Sequence, residues 1–511
     1  MNPREVELKL LCTPAVLHKL MASSALLTQL SPPSASNLLS TYFDTPGRDL
    51  SKSGIILRLR QGNDGMVQTL KADDSDTPAV ARDCVEIETL LAKTRTTPDL
   101  TRLPDEWQKK LSALIADQML EPTISTRINR HLAHWKDGKG TEIEIAFDEG
   151  EMTVGKASLP ICEIELELKA GHAAGLYELA LALLAQAPLL VGTRSKAQRG
   201  FDLLDQRQPE AFKAGPLTLS REASLEDAYA RILSHCLTHL LGNERAIIQR
   251  QDIEALHQAR VALRRLRSAF TVFGGVIGGD ATDELAQEAK WIGNSVGRAR
   301  DHDVFVMDIL TPAFKANKPD EAMFHLQAVT EIARKKAWEQ TCIALTSTRY
   351  AQFQLRLGHY LAAQDWRPLA AYDVLAAGSA QVFADAALDK RLSRVMRLGR
   401  DIADLDTSDR HELRKRLKKL RYTLGFFASL YPRSAVKSYL DDLGRLQDVF
   451  GSLNDVAMAT TILERLVAND PELAGPAAQI LAWHEEKATA DWKAALKLWQ
   501  RFSRHDPFWH G

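Results

Sequence analysis

Hydrophobic and polar residues alternate with a period of two in several short runs of the first 170 residues. Because successive side chains of a strand point to opposite faces, this alternation predicts β-strands with one apolar face. Around residues 14–30 and 174–187 the apolar spacing is helical instead. The alternating runs are EVELKL (5–10), IILRLR (55–60), MVQTLK (66–71), CVEIET (84–89), TISTRINR (123–130), TEIEIAFD (141–148) and ICEIELELK (161–169).

The pattern changes near residue 203. The stretch 203–220 contains two prolines and no clear periodicity, which predicts a linker. Ser224 and Asp227 then have the spacing of a capping box at a helix start. From there to about residue 500 almost the whole sequence has helical periodicity. We therefore predict an α+β domain over residues 1–204, a linker over 205–221 and an all-helical domain over 222–505.

Length, charge and cysteine usage set broad limits. A chain of 511 residues is too long for one ordinary core, and its formal net charge of −1 means that an anion site requires local segregation of charge. The five cysteines form no CxxC pair, which favours a reducing compartment over a disulfide framework. No apolar stretch is long enough to span a bilayer. We expect a cytoplasmic protein with no membrane partner, and no obligate protein partner can be identified.

The polar faces of the predicted strands carry segregated charge. The first strand places Glu5, Glu7 and Lys9 on one face. The runs at 141 and 161 are acidic on their polar faces, whereas those at 55, 66 and 123 supply Arg or Lys. Charged faces often simply point to water. A closed barrel with its charged faces inward is the alternative, and its acids would hold a divalent cation while its bases bind an anion.

An ordered set of short motifs favours the barrel. Glu5-x-Glu7-x-Lys9, TYFDTPG (41–47), LRLR (57–60), TLK (69–71), AFDEG (146–150), ICEIELELKAG (161–171) and SKAQRG (195–200) follow one another along the chain. Together they resemble the CYTH superfamily, the triphosphate tunnel metalloenzymes. The resemblance implies an eight-stranded antiparallel β tunnel with flanking helices, which hydrolyses or cyclises triphosphate compounds with Mg²⁺ or Mn²⁺.

The same resemblance implies roles for individual residues. Lys71, paired with Tyr42, is the candidate for positioning the attacking water, and the alternative for Tyr42 is a packed aromatic at a strand end. Glu144 competes with Asp148 as a metal ligand, and one member of the row Glu163, Glu165 and Glu167 is spare. The implied metal ligands are Glu5, Glu7, Asp148, Glu163 and Glu165, and the implied phosphate contacts are Lys9, Arg58, Arg60, Lys71, Arg127 and Lys196.

An internal repeat marks the helical half. HQARVALRRLRSAF (257–270) and HELRKRLKKLRYTL (411–424) align with an offset of 154 residues, and Asp301 then matches Asp455. On a helix the cations fall on one arc beside an apolar arc, so two such helices would form a basic furrow for a long polyanion. A solvated charged face is the alternative. The matched residues are His257, Arg260, Arg264, Arg265 and Arg267 with His411, Arg414, Lys418, Lys419 and Arg421.

These strings resemble the CHAD domain, a helical domain that binds inorganic polyphosphate. We expect no specific nucleic-acid partner, because the basic arcs lack interleaved aromatic residues. The triplet Asp301-His302-Asp303 suggests capping or packing more than a metal site. The sequence thus predicts an inorganic triphosphatase that cleaves tripolyphosphate, followed by a helical-bundle domain, with an internal pseudo-twofold repeat, that binds polyphosphate. The alternatives are a thiamine triphosphatase, a class IV adenylate cyclase, or a non-catalytic polyphosphate-binding scaffold.

Overall fold

The computed structural model of the chain describes residues 4–23, 31, 34–61, 65–72, 79–116, 118–138, 140–277, 279–316, 318–367 and 378–510. The chain divides into two compact units. The first consists of Met1–Pro209 with Thr346–Asp365, and the second of Glu210–Leu345 with Trp366–Gly511. Among the described residues, no helix is long and apolar enough to cross a membrane.

The first unit is built on a closed antiparallel barrel of eight strands. The strands follow the order β5-β4-β3-β2-β6-β7-β8-β1, and pairing of β1 with β5 closes the sheet. A two-residue strand, β9, adds to β1. The barrel confirms the predicted fold class. The strands are β1 Arg4–Leu11, β2 Ser34–Asp44, β3 Ile55–Gln61, β4 Met66–Ala72, β5 Ala81–Leu91, β6 Glu121–Lys136, β7 Glu142–Val154, β8 Ala157–Ala170 and β9 Leu190–Val191.

Helices cover the apolar outside of the barrel and close one end. The helical pattern predicted over 14–30 forms a helix over Pro14–Met21, and positions 24–30 lie outside the described residues. Outward Leu57 and Leu70 of the sheet pack with Trp107 and Leu111 of a flanking helix. The helices of this unit are α1 Pro14–Met21, α2 Asp49–Lys52, α3 Asp105–Ile115, α4 Ala174–Gln186, α5 Lys196–Leu204 and, from the second half of the chain, α11 Thr348–Ala363.

Helix α5 positions one of the predicted site residues. Ser195 begins it with a complete capping box, in which Gln198 supplies the reciprocal bond. Phe201 packs with Ile124 and other inward apolar side chains, which places the helix across one end of the barrel. Lys196, at the first helical position, is thereby held inside the lumen, where 7% of its surface is exposed.

The second unit is helical and shows the predicted repeat. Two of its helices, Ile253–Phe273 and Thr407–Phe427, begin and end at the same offset of 154 residues that aligns their basic strings. Buried Leu263 and Leu266 of the first correspond to buried Leu417 and Leu420 of the second. The helices are α6 Leu225–Arg250, α7 Ile253–Phe273, α8 Asp280–Val304, a π-helical segment Phe305–Leu310, α9 Thr311–Ala316, α10 Glu321–Leu345, α12 Ala380–Leu398, α13 Thr407–Phe427, α14 Arg433–Asn469 and α15 Ala474–Phe502.

Candidate active site and candidate polyanion site

The barrel lumen holds most of the cations predicted as phosphate contacts. It forms a cavity of about 300 Å³, and strand alternation brings Lys9, Arg58, Arg60 and Lys71 to its wall together with Lys196 of α5. Within the part of the chain that the structure describes, the buried Nε atoms of Arg58 and Arg60 have no hydrogen-bond partner. Burial, then the neighbouring Arg58 and Arg130, lowers the pKa of Arg60 to about 10. The lumen therefore carries cationic donors that its own carboxylates do not satisfy.

Arg127 was predicted to contact phosphate, and the structure corrects that prediction. Its side chain is 78% exposed and lies 3.9 Å from Glu151, outside the barrel. The inward residues of β6 are Thr126, Ile128 and Arg130. Since inward and outward positions alternate along a strand, an arginine at 127 and one at 130 cannot share a face. Arg130 is the lumen cation of this strand.

Three predicted metal ligands lie together at one side of the lumen but are already neutralised. Oxygen atoms of Asp148, Glu163 and Glu165 lie within 4.8 Å of one another. Lys196 Nζ contacts these carboxylates at 2.7, 2.6 and 2.8 Å, and Arg130 reaches both Asp148 and Glu165 at 2.6 Å. Burial acts to raise the pKa of Asp148 and of Glu165, but Lys196 and other cations lower the pKa of both.

A second carboxylate group in the lumen is less completely neutralised by cations. Oxygen atoms of Glu5, Glu86 and Glu167 lie within 4.8 Å of one another. Burial, against an opposing Lys71, raises the pKa of Glu5, and burial also raises the pKa of Glu167. Lys71 contacts Glu5 and Glu86, and Lys169 contacts Glu167 at 2.5 Å, so three carboxylates share two lysines, and oxygen donors at this spacing suit a hard divalent cation. This group fits Mg²⁺ or Mn²⁺ better than the group around Lys196.

Glu7 and Lys9 lie between the two groups on β1. Lys9 Nζ contacts Glu7 at 3.3 Å and Glu165 at 2.5 Å. Burial works against its charge, but Glu165 and Glu7 raise the pKa of Lys9 well above its usual value. Lys9 therefore remains a cation in the lumen.

Lys71 and Tyr42 also line the lumen, with different surroundings. Lys71 contacts Glu5 and lies 3.2 Å from Glu86. Despite burial, Glu7 and Glu5 raise its pKa, so Lys71 is held as a cation that can donate a hydrogen bond. Tyr42 is 3% exposed and belongs to the apolar cluster of Ile124 and Phe201, as expected for a packed aromatic.

Sequence reasoning missed several charged residues of this site. Glu86 and Glu88 line the lumen from β5, and their alternation with Val85 and Ile87 in the run CVEIET was a signal that could have identified them. Arg199 on α5 contacts Glu163. Helical geometry places it one turn from Lys196, which the motif SKAQRG already contained.

In the second unit, the two basic helices of the repeat line one groove of about 1090 Å³, here called the furrow. The furrow is lined by Arg260, Arg264, Arg267, His411, Arg414, Lys418 and Lys419 of the predicted set.

The other three predicted residues do not line the furrow. Arg265 lies over the ring of Phe426 at 5.8 Å, and Arg421 donates to Gln447 Oε1 at 3.2 Å. His257 is half-buried, and burial and then Arg300 lower its pKa. Consecutive helical positions are about 100° apart, so Arg265 points away from the face that its neighbour Arg264 presents to the furrow.

The furrow has an excess of positive charge. Burial, followed by Arg264, Arg414 and Arg260, lowers the pKa of Lys418 to about 6. The acid nearest to Arg260 is Asp301, whose Oδ1 lies 2.9 Å from Arg260 Nη1. A buried lysine whose charge is opposed by three neighbouring arginines indicates a site completed by an anion.

The triplet at 301–303 is divided in role: Asp303 serves packing, whereas Asp301 and His302 line the furrow. Asp303 is fully buried and accepts from Arg334 at 2.7 Å and from Trp338 at 3.0 Å. Asp301 pairs with Arg260, and His302 lines the furrow. The carboxylate and histidine groups that could hold a metal, within the part of the chain that the structure describes, do not include this triplet.

Two domain families match the chain. The CYTH domain matches residues 3–201 and the CHAD domain matches residues 231–464. The chain consists of a CYTH domain followed by a CHAD domain. This confirms the predicted family resemblance, and the tunnel and the basic helices described above lie in the respective domains.

Individual relatives cover different parts of this CYTH–CHAD chain. An inorganic triphosphatase of Haemophilus influenzae is 31% identical over 209 residues, which are 40% of this chain and 56% of that protein. The chain thus spans little more than half the length of this relative. An uncharacterized Mycobacterium tuberculosis protein is 26% identical over 419 residues, covering 75% of this chain and 74% of its own. The crystal structure of a CHAD domain from the plant Ricinus communis has a TM-score of 0.51 at 29% identity, over 57% of this chain and 96% of that one.

Proposed function

We propose that the CYTH domain is a metal-dependent inorganic triphosphatase and that tripolyphosphate is its substrate. The observation that carries this proposal is the composition of the lumen. Buried cations with unsatisfied donors, Arg58 and Arg60, share one cavity with a carboxylate group, Glu5, Glu86 and Glu167, that two lysines neutralise only in part. A triphosphate together with a divalent cation supplies what both sets lack. The inorganic triphosphatase among the relatives supports the same reaction class.

The cations of the lumen would act by binding and orienting phosphate. Arg58 is held by Thr69 Oγ1 at 3.0 Å, which fixes its guanidinium before the substrate enters. Arg60, Lys9 and Lys71 would contact the remaining phosphate oxygens and stabilise the charge that develops on the transferred group. Lys71, held protonated beside Glu5, would donate a hydrogen bond to the attacking water or the terminal phosphate.

Glu5, Glu86 and Glu167 would hold the metal, with Glu7 next to them on β1. When bound, Mg²⁺ or Mn²⁺ would neutralise phosphate charge and activate water. The carboxylates around Lys196 would keep that lysine and Arg130 in place, so that this side of the lumen remains cationic toward the substrate. This assignment differs from the sequence prediction, which grouped Asp148, Glu163 and Glu165 with Glu5 and Glu7.

The lumen favours an inorganic triphosphate over a nucleotide or thiamine ester. Within the described part of the chain, Tyr42 is the one aromatic side chain that lines the lumen, and it is packed among apolar residues. A nucleobase or thiamine ring would therefore lack a pair of rings between which to stack. We accordingly place thiamine triphosphatase and adenylate cyclase activity behind tripolyphosphate hydrolysis.

For the CHAD domain, we propose that the furrow binds inorganic polyphosphate. Closely spaced cations with mutually lowered pKa values suit the dense charge of a phosphate chain. The furrow also exposes little aromatic surface, since Phe270 is buried and Tyr422 is half-buried, so it lacks the stacking surface of single-strand nucleic-acid grooves. The five cysteines are free thiols, and on that basis we propose a reducing, cytoplasmic location.

The test is phosphate release from tripolyphosphate, ATP, thiamine triphosphate and long-chain polyphosphate, with and without Mg²⁺. We expect the highest kcat/KM for tripolyphosphate and no turnover without a divalent cation. A tenfold preference for ATP or thiamine triphosphate would assign the tunnel to another reaction of the superfamily. Binding of polyphosphate with no hydrolysis of any of these compounds would leave only the scaffold function.

A further inference from the structure

A second cluster of cations lies on the CHAD domain outside the predicted basic strings. Arg391, Arg394 and Arg397 follow one another at three-residue intervals on α12, which separates the first and last by about 9 Å along the helix. Together with Arg416 and Lys419 of α13 they line a recess of about 270 Å³. Among the described residues, Glu412 is the one acid that lines the recess, and no apolar side chain lines it.

These cations are poorly compensated. Glu412 pairs with Arg416 at 3.2 Å and with Lys415 at 2.7 Å. Among the described residues, no carboxylate lies within ion-pair distance of the three arginines of α12. Arg391 is 7% exposed, and one guanidinium nitrogen donates to the carbonyl oxygen of Thr271 at 3.2 Å. A buried guanidinium held by a neutral oxygen leaves its charge available to an anion.

The internal repeat shows what occupies the equivalent place in the first half of the domain. The offset of 154 residues relates Arg391, Arg394 and Arg397 to Leu237, Leu240 and Asn243 on α6. The segment before α6 runs along this helix. The backbone N–H of Phe212 donates to Asn243 Oδ1 at 2.9 Å, and the Asn243 amide donates back to the Phe212 carbonyl at 2.9 Å.

The contact between this segment and α6 is close. A Cβ atom at Gly242 would lie 2.5 Å from the ring of Phe212, and His235 bonds to the Gly215 carbonyl at 2.8 Å. In the first half, therefore, a stretch of extended chain covers the helix. In the second half the related helix carries arginines and borders an open recess.

Lys419 lines both the recess and the furrow, so the two basic surfaces are continuous. We propose that the recess is a second anion subsite, which holds the continuation of a linear polyphosphate whose first part lies in the furrow. This inference rests on the proposed polyphosphate binding by the furrow. It adds chain-length selectivity, because a short chain fills the furrow alone whereas a long chain reaches both surfaces. The recess is lined by five cations and one acid, which suits the dense charge of a phosphate chain better than the more widely spaced carboxylates of an acidic peptide.

The experiment compares the full-length parent with Arg394→Gln/Arg397→Gln, since both arginines are exposed and their loss spares the core. A matched control, Lys335→Gln/Lys336→Gln, removes two exposed cations of α10 that line neither surface. Binding of long-chain polyphosphate and of tripolyphosphate is measured over a range of salt concentrations, with no divalent cation added so that the ligand is not consumed. The tunnel is the same in all three proteins.

We expect the arginine variant to bind long-chain polyphosphate more weakly, with a slope of log K against log salt smaller by about 1.5, as for the loss of two phosphate contacts in nucleic-acid binding. Its affinity for tripolyphosphate, and both affinities of the control, should match the parent. Unchanged long-chain binding by the arginine variant, or an equal loss for both ligands, would overturn the inference. Displacement of polyphosphate by polyglutamate at equal charge would overturn the ligand assignment. A parent that binds no polyphosphate at all would instead overturn the proposed function of the furrow.

Discussion

Replacing Lys418 by arginine should remove the pH dependence of polyphosphate binding. In the free protein, burial and the cations Arg264, Arg414 and Arg260 lower the pKa of Lys418 to about 6, so the side chain is mostly neutral at about pH 7 and above. A polyanion in the furrow replaces this repulsion by attraction and restores the ammonium form. Binding therefore takes up one proton, and affinity rises as the pH falls.

The magnitude follows from linkage. When one group gains a proton on binding, the affinity changes by about tenfold per pH unit between the free and bound pKa values. From about pH 9 to about pH 7 the parent should therefore gain up to about 100-fold in affinity. Arginine keeps its charge throughout this range, so Lys418→Arg should bind with nearly constant affinity. Lys418→Gln should be equally insensitive to pH but weaker.

The effect of Lys418 on the pH dependence of binding can be distinguished from the effects of other charged groups near it. Asp455 partly offsets the surrounding cations, and burial raises the pKa of Asp455. Burial lowers the pKa of His302, so this histidine titrates below the window. His411 also lines the furrow, and His411→Gln serves as the control for this residue.

The assay is isothermal titration calorimetry in two buffers with different ionisation enthalpies, which measures the protons taken up on binding. Near pH 8 we expect about one proton for the parent and for His411→Gln, and about none for Lys418→Arg. An equal proton uptake by Lys418→Arg and the parent, or no uptake by the parent, would refute the reasoning.

Two further predictions use matched pairs of variants. Arg130→Gln should lose most tripolyphosphate turnover because it removes a lumen cation. Arg127→Gln changes an arginine on the outside of the same strand and should keep that turnover. Equal rates for the two variants would contradict the assigned register of β6. Gly358→Ala on α11 would place a Cβ atom 2.2 Å from the Tyr177 ring of α4 and should lower the free energy of unfolding by about 1–3 kcal/mol. In Gly444→Ala the new Cβ atom meets open space, so this variant should gain up to about 1 kcal/mol in the free energy of unfolding. Thermal unfolding checks the second pair, and an unchanged midpoint for Gly358→Ala would show that α11 is not part of the first unit.

Local patterns predicted much of the fold. Seven strands were identified from alternation, but β2 was not, since the sequence SASNLLSTYFD has too few apolar residues at alternating positions. The repeat offset related the bounds of two helices that are far apart in the sequence. The position of α11 in the first unit had no local signal, because it depends on packing between residues some 180 positions apart.

The residue types that line the candidate site were predicted more reliably than the pairs that these residues form with one another. Alternation showed that Glu163 and Glu165 face inward, but not that Lys196 would neutralise them. Nor could it decide between Arg127 and Arg130, because both phases of that strand offer an arginine and only the neighbouring strands fix which phase faces the lumen.

The central claim is that the carboxylates of β1 make the tunnel a metal-dependent triphosphatase. The measurement is orthophosphate release from tripolyphosphate, with and without Mg²⁺, by the parent, by Glu5→Gln/Glu7→Gln and by Glu149→Gln/Glu151→Gln. The last variant makes the same change, at the same spacing, on the outside of the barrel, where the two side chains are 39% and 53% exposed. We predict Mg²⁺-dependent turnover by the parent and by Glu149→Gln/Glu151→Gln, and none by Glu5→Gln/Glu7→Gln despite a folded barrel. Full Mg²⁺-dependent activity of Glu5→Gln/Glu7→Gln would contradict the account.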